Sequence, residues 1–301
     1  MRPSFASDPK WKQTKKELSA VMPTIEVKKR GPLCIYHKNC ADGFGAAWVV
    51  KMALGDVEFF PAAYGEEPPD VGGRRVYMVD FSYKRPVLLE MAKKAELITI
   101  IDHHKTSAED LVDLPGNVET IFDMEKSGAV LAWEYFFTGS PVPELLLTIQ
   151  DRDLWRFERA RTKEIMAALF SHPYDFSVWD SLIREGDSQL ELDGAAILRN
   201  HVKSVKEVIE ASSRMMTIGG YVVPVVNAPF MMASDACNIM AAGFPFAASY
   251  WDSPSHRNFS LRSSVDGVDV SEVAKGYGGG GHKHASGFRV PLSEINALGL
   301  L

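Results

Sequence analysis

With 301 residues, 46% of them apolar and 24% charged, the chain is about twice the usual single-domain length. Its composition is that of an ordinary globular protein and excludes a largely disordered or collagen-like polymer. A formal charge of -6 has the wrong sign for gripping long duplexes through many phosphates, so any nucleic-acid role must be local.

The three cysteines, Cys34, Cys40 and Cys237, make no disulfide framework, which favours a reducing compartment. The polar, basic first residues and the lack of any run near the ~18 apolar residues of a membrane span lead us to expect neither a secretory leader nor membrane insertion. The expectation is a cytoplasmic protein without membrane contact.

Residues 1–31 are expected to form a basic N-terminal extension, crowded with Lys10, Lys12, Lys15, Lys16, Lys28, Lys29 and Arg30 and without an apolar period. From Leu33 the pattern changes. LCIYH (33–37) reads as a strand, 43–55 as a helix and 57–62 as a strand; VYMVD (76–80) and LITIID (97–102) are apolar runs that end in Asp. Strands alternating with helices predict a parallel sheet, and such sheets gather ligands beyond the carboxyl ends of their strands. His37, Asp80 and the trio Asp102, His103 and His104 all stand at such ends, so one rim would collect them.

Helical periodicity resumes at 127–137 and 143–155, and 188–215 is a long amphipathic pattern of the kind that bridges two domains. Beyond it, 221–227, 246–251 and 259–264 read as strands, with a helix at 232–243. The expected fold is α/β. A parallel-sheet metal-binding domain spans 32–190, a helical linker 191–210, and a smaller α/β substrate-binding domain 211–301.

Adjacent histidines such as His103 and His104 occur by chance, but the convergence of several strand ends favours a metal site. Imidazole with carboxylate suits manganese, iron or zinc, and magnesium prefers oxygen alone. Several carboxylates allow one to bridge two ions ~3.5–4 Å apart, an arrangement used for displacement at phosphorus. In the C-terminal part, the run Gly278 to Gly281 allows backbone N–H groups to approach a ligand. Followed by His282 and His284 and preceded by Arg262, it reads as a phosphate clamp. Trp155, Phe157, Phe170 and Trp179 are read as core aromatics rather than base-stacking platforms.

HKNCADGFGAA at 37–47, VDF at 79–81, DHH at 102–104 and IQDRD at 149–153 resemble, in order, the four motifs of the DHH phosphoesterase superfamily. GGGGHKHASGF at 278–288 is similar to the DHH-associated C-terminal domain, and the resemblance covers roughly residues 33–290. It implies two divalent ions, normally manganese, with His37 on one, Asp42 and His103 on the other, and Asp80 bridging. The fourth-motif ligand is Asp151 or Asp153, with Asp151 favoured because it follows the apolar helix directly. Asp102 would orient a histidine, and His104 would face the substrate and give a hydrogen bond or proton to a phosphoryl or leaving oxygen.

The resemblance assigns the clamp to Arg262 and His282; Gly279, Gly280, Gly281 and His284 belong to the same motif. One position departs from the family's pattern, because Cys40 stands where an acidic residue is usual. Either its thiolate ligates, or His37 with Asn39 and water completes that site, or the first ion binds weakly. The implied activity is hydrolysis of short oligonucleotides to nucleoside monophosphates. Cyclic dinucleotides and bisphosphate nucleotides are alternative substrates, and a non-catalytic nucleotide-binding module is an alternative of another class. The oligomeric state, including a homodimer, is left open.

Overall fold

The computed structural model describes residues 30–300, and the expected basic extension lies, but for its last two positions, outside the described residues. From Gly31 onward the chain builds two sheets. The first contains β1 (Leu33–His37), β2 (Glu58–Ala62), β3 (Arg75–Val79), β4 (Leu97–Asp102) and β5 (Val118–Phe122). They run parallel in the order β2-β1-β3-β4-β5. The inner strands are apolar almost without interruption, as strands buried on both faces must be; Leu33, Ile35, Val76, Met78, Ile98 and Ile100 are all buried.

On one face lie α1 (Ala41–Leu54), α4 (Gly128–Phe136), α5 (Glu144–Asp153), α6 (Thr162–Leu169) and α7 (Phe176–Glu185), which share one core. α2 (Arg85–Ala92) packs into a second core on the other face. α1 is buried along its first ten residues. Gly45 allows α4 and α5 to come close, since a Cβ there would stand 3.2 Å from Ala129 Cβ and 3.4 Å from Leu146 Cδ2.

α8 (Asp187–Ser212) leads from this half into the second sheet. Gly194 on α8 lies so close to the Glu164 carbonyl of α6 that no side chain would fit. The helix stops at Ser212 because Ser213 turns to extended geometry and opens β6, three residues before the helical pattern of the sequence ends. The second sheet has the order β10-β11-β9-β8-β7-β6 and is antiparallel except between β7 and β8. Its strands are β6 (Ser213–Ile218), β7 (Tyr221–Asn227), β8 (Ala247–Asp252), β9 (His256–Arg262), β10 (Gly280–His282) and β11 (Ala285–Pro291). α9 (Phe230–Met240) covers one face and α10 (Val270–Lys275) the other.

The expected mixed architecture is therefore present: a parallel five-stranded sheet and a second, mixed one. Among the described residues no helix is long and apolar enough to cross a membrane.

The two halves touch along α3 (Lys105–Asp110), which follows β4 directly. Lys105 Nζ lies 2.7 Å from Asp269 Oδ2, Lys275 pairs with Glu109, and Thr106 Oγ1 accepts from the Gly281 N–H at 3.0 Å. On the far side Arg289 donates to the Gly65 carbonyl at 3.0 Å.

Candidate metal centre

The strand order reverses between β1 and β3, and in open α/β sheets the crevice beyond such a reversal is where ligands bind. His37 ends β1, Asp80 follows β3 at a left-handed φ of 52°, and Asp102 ends β4. Asp42, on the first turn of α1, and Asp153, the last residue of α5, enter the same crevice.

His103 is the hub. Its Nε2 lies 3.1 Å from Asp80 Oδ1, 3.5 Å from Asp153 Oδ2 and 3.6 Å from Asp42 Oδ2. His37 Nδ1 stands 3.6 Å from Asp80 Oδ2. The ligand atoms of Asp42, His103 and Asp153 fall within one small sphere, and those of His37, Asp80 and His104 within another. Asp80 Oδ2 and His103 Nδ1 are buried without a hydrogen-bond partner, as is Asp102 Oδ2. One buried imidazole nitrogen among the carboxylates of Asp42 and Asp80, both buried, and of the more exposed Asp153 forms a donor set able to hold a cation.

The electrostatics agree. Burial, then Asp80 and Asp153, push Asp42 well above the usual carboxylate range. Burial also raises Asp153, with Asp80 adding to it. Burial would raise Asp80 too, but the hydrogen bond with His103 and the nearby His37 imidazole hold it well below its ordinary value. Burial favours a neutral His103, yet Asp80, Asp153 and Asp42 push it up to about 10. In the chain alone a proton does what a divalent ion would do better, and the oxygen-rich, imidazole-containing donor set suits manganese, iron or zinc.

Asp42 is fixed by the start of α4, where the Gly128 N–H donates to its Oδ2 at 2.6 Å and the Ala129 N–H to its Oδ1 at 3.0 Å. A carboxylate at a helix N-terminus meets both unpaired N–H groups and the positive end of the dipole. Gly128 has a second duty: a Cβ there would lie 2.6 Å from Asp80 Cβ and 2.9 Å from its Cα. Gly43 likewise leaves room for the His37 carbonyl, which would be 2.3 Å from a Cβ. Neither glycine was singled out in the sequence; Ser127-Gly128 ahead of an apolar helix was the available signal. Tyr64, beyond the end of β2, packs edge-on against His37 and His104 and was also missed.

Asp102 Oδ1 accepts from the N–H groups of His103 and His104 and lies 2.6 Å from His104 Nδ1. It therefore orients His104, and its charge raises His104 against a burial that would lower it. His104 Nε2 has no hydrogen-bond partner among the described residues. The His282 ring stacks on His104 at 4.6 Å and 20°, and burial, then the charges of His104 and His103, hold it well below the usual imidazole range.

Other expectations need correction. Asp151 does not face the crevice: its carboxylate accepts from the N–H groups of Glu158 and Arg159 and from Thr162 Oγ1, which ties the loop after α5 to the helix. Cys40 lies beside the carboxylates, but its sulfur is in neither ligand cluster. Burial, then Asp80, Asp153 and Asp42, raise its thiol well above the usual range, so in the chain alone it stays protonated. His284 Nδ1 lies 2.9 Å from Ser263 Oγ, apart from the clusters.

The glycine run is no open cradle. The Gly279 N–H is taken by the Ala274 carbonyl and that of Gly281 by Thr106. A Cβ on Gly279 would stand 2.1 Å from the Gly287 carbonyl and one on Gly280 2.7 Å from Thr106 Oγ1, so these glycines serve close packing. Arg262 is held by Ser260 Oγ and the Leu261 carbonyl through Nη1 and by Ser234 Oγ through Nη2. Of the four aromatics, Trp179 is core, Phe170 is 51% exposed, and Trp155 and Phe157 sit half-buried on the loop after α5.

The fold and site together define a two-sheet α/β protein with an imidazole–carboxylate cluster, able to hold a metal ion, at a sheet crossover. The chain belongs to the same family as the uncharacterized protein R106 of Acanthamoeba polyphaga mimivirus, with 30% identity over an alignment of 318 positions that covers 91% of this chain and 72% of that one. No family model matches it. Among solved structures it is similar to a pGpG-specific phosphodiesterase, PggH, from Vibrio cholerae, at 15% identity and a TM-score of 0.47 over 89% of this chain and 96% of that one. It is also similar to an uncharacterized protein from Helicobacter pylori G27, at 15% identity and a TM-score of 0.41 over 87% and 93% of the two chains. An exopolyphosphatase-related protein from Bacteroides fragilis gives 14% identity and a TM-score of 0.41 over 90% of each.

Proposed function

We propose that the chain is a metal-dependent phosphodiesterase that hydrolyses short oligonucleotides to nucleoside monophosphates. The observation that carries this reading is His103 Nε2 at the centre of Asp42, Asp80 and Asp153, next to a second cluster of His37, Asp80 and His104. The shared Asp80 would bridge two ions, with His37 on one side and Asp42, His103 and Asp153 on the other. When bound, such ions supply Lewis acidity, neutralising charge on phosphoryl oxygens and lowering the pKa of a water.

The chain's own groups supply the rest. Asp102 holds the His104 ring through Nδ1, which leaves Nε2 to give a hydrogen bond or a proton to the leaving oxygen. His282, neutral and stacked on His104, walls the site on the side of the second sheet. α3, which follows His104 directly, is tied to Asp269 and Gly281 of the second half, and a site bounded by both halves favours a substrate of a few nucleotides over a long polymer. The net negative charge points the same way.

The test is turnover of labelled dinucleotides, cyclic dinucleotides and bisphosphate nucleotides by the purified protein with manganese. Release of monophosphates from dinucleotides, lost at least 100-fold in Asp80→Ala, is expected. Turnover of another class alone would reject the oligonucleotide reading, and no turnover of any would reject the hydrolase in favour of a binding module.

A further inference from the structure

Three imidazoles meet where the two halves of the chain touch. His103 and His104 follow β4 in the first half, and His282 ends β10 in the second. The His282 ring centroid lies 4.6 Å from each of the other two, which are 4.9 Å apart. One ligand nitrogen from each ring falls within 4.8 Å of the other two. The approach is built into the backbone beside it: the Gly281 N–H donates to Thr106 Oγ1 at 3.0 Å, and a Cβ on Gly280 would stand only 2.7 Å from that same oxygen.

Each ring has a nitrogen to offer. His103 is 1% exposed, and its Nδ1 is buried without a hydrogen-bond partner. His104 Nδ1 lies 2.6 Å from Asp102 Oδ1, the pairing by which a carboxylate orients a histidine ligand and raises its basicity, and Nε2 is left to face the cluster. The ring nitrogens of His282 make no hydrogen bond among the described residues, and burial, then the charges of His104 and His103, keep that ring neutral with its lone pair available. Asp80 and Asp102 put negative charge beside the trio, with Arg262 as the opposing cation.

We propose that His103, His104 and His282 form a zinc site that staples the two halves together. Zinc takes three histidines and a water in tetrahedral geometry at about 2.0–2.1 Å, whereas manganese gains more from oxygen donors. The nitrogens around such a zinc stand about 3.3 Å apart. From within 4.8 Å of one another, the trio has to contract by at most about 1.5 Å, a distance that ring rotation supplies. A neutral imidazole has one lone pair, so His103 serves either this set or the carboxylates of Asp42, Asp80 and Asp153. Zinc bound here therefore withdraws His103 and His104 from the proposed reaction.

Zinc binding is measured calorimetrically, with no turnover in the readout, so that failure of the phosphodiesterase reading leaves the result intact. Asp80→Asn removes the carboxylate shared by the two ion positions proposed above and none of the trio. It should still bind one zinc, and adding His282→Ala should weaken that binding at least tenfold. In the otherwise wild-type chain, His282→Ala should weaken zinc at least tenfold and leave manganese affinity within threefold, because the carboxylate cluster does not contain His282. Zinc affinity independent of His282 in both backgrounds, or a loss shared equally by manganese, overturns the site. X-ray absorption at the zinc edge of the Asp80→Asn protein should show three imidazoles around the ion, and two or fewer would overturn it.

Discussion

Gly128→Ala probes how the centre is built without touching a ligand. The added methyl would sit 2.6 Å from Asp80 Cβ, 2.9 Å from Asp80 Cα and 3.0 Å from Asp42 Oδ2, and two of those three neighbours are backbone or the atom next to it. Overpacking of this kind costs about 1–3 kcal/mol. If the helix start shifts to make room, Asp42 also loses the Gly128 N–H, a hydrogen bond to a charged group of about 1.5–3 kcal/mol. The better helix propensity of alanine returns up to ~1 kcal/mol.

The net is a loss of about 2–4 kcal/mol, a fall in Tm of roughly 5–15 °C for a unit of this size. Gly116→Ala is the control, because nothing lies within 4 Å of a Cβ there. Both variants are melted with and without manganese, and manganese affinity is measured calorimetrically. Gly128→Ala should melt well below the control and bind manganese at least tenfold more weakly. Equal melting and equal affinity would refute the account of how Asp42 and Asp80 are held.

Asp151→Asn should destabilise by about 2–4 kcal/mol in denaturant titration, since the amide offers donors where Glu158, Arg159 and Thr162 already donate. Unchanged stability would show that the loop does not need that carboxylate. Acid should weaken the contact between the halves. Burial would raise Asp269, but the hydrogen bonds from Lys105 and Ser271 hold it at about 2. A folded value below the unfolded ~3.9 contributes stability that is complete above the unfolded value and is lost as pH falls through the folded one. After solvent screening it is worth about 1 kcal/mol. In Asp269→Asn that part of the acid dependence between about pH 4 and 2 should vanish. Manganese at 100 times its Kd should raise wild-type stability by about 2.7 kcal/mol, and no shift in Tm at saturating metal would mean that the folded chain does not bind it.

The crossover rim was legible in the sequence because apolar runs that end in His or Asp give both the strand and its direction, as at Leu33–His37 and Leu97–Asp102. β5 was missed because Val118–Phe122 is a half-exposed edge strand carrying Glu119 and Thr120, too polar to stand out. The choice between Asp151 and Asp153 was decidable but was made on adjacency. Leu146, Ile149 and Asp153 lie on one 3.6-residue face, and Leu146 and Ile149 are the α5 side chains that approach Gly45 of α1, the helix that begins with Asp42. Asp151 is instead enclosed by a loop whose path no periodicity reports. The glycine run was visible, but its use was not: whether an N–H is free depends on partners such as Ala274 and Thr106, which are remote in sequence.

Anomalous diffraction from manganese-soaked crystals tests the central claim most directly. The account predicts manganese peaks among Asp42, Asp80, His103 and Asp153 and between His37 and Asp80, with Asp80 touching both. An empty crevice at saturating manganese, or manganese bound only elsewhere on the chain, would contradict it.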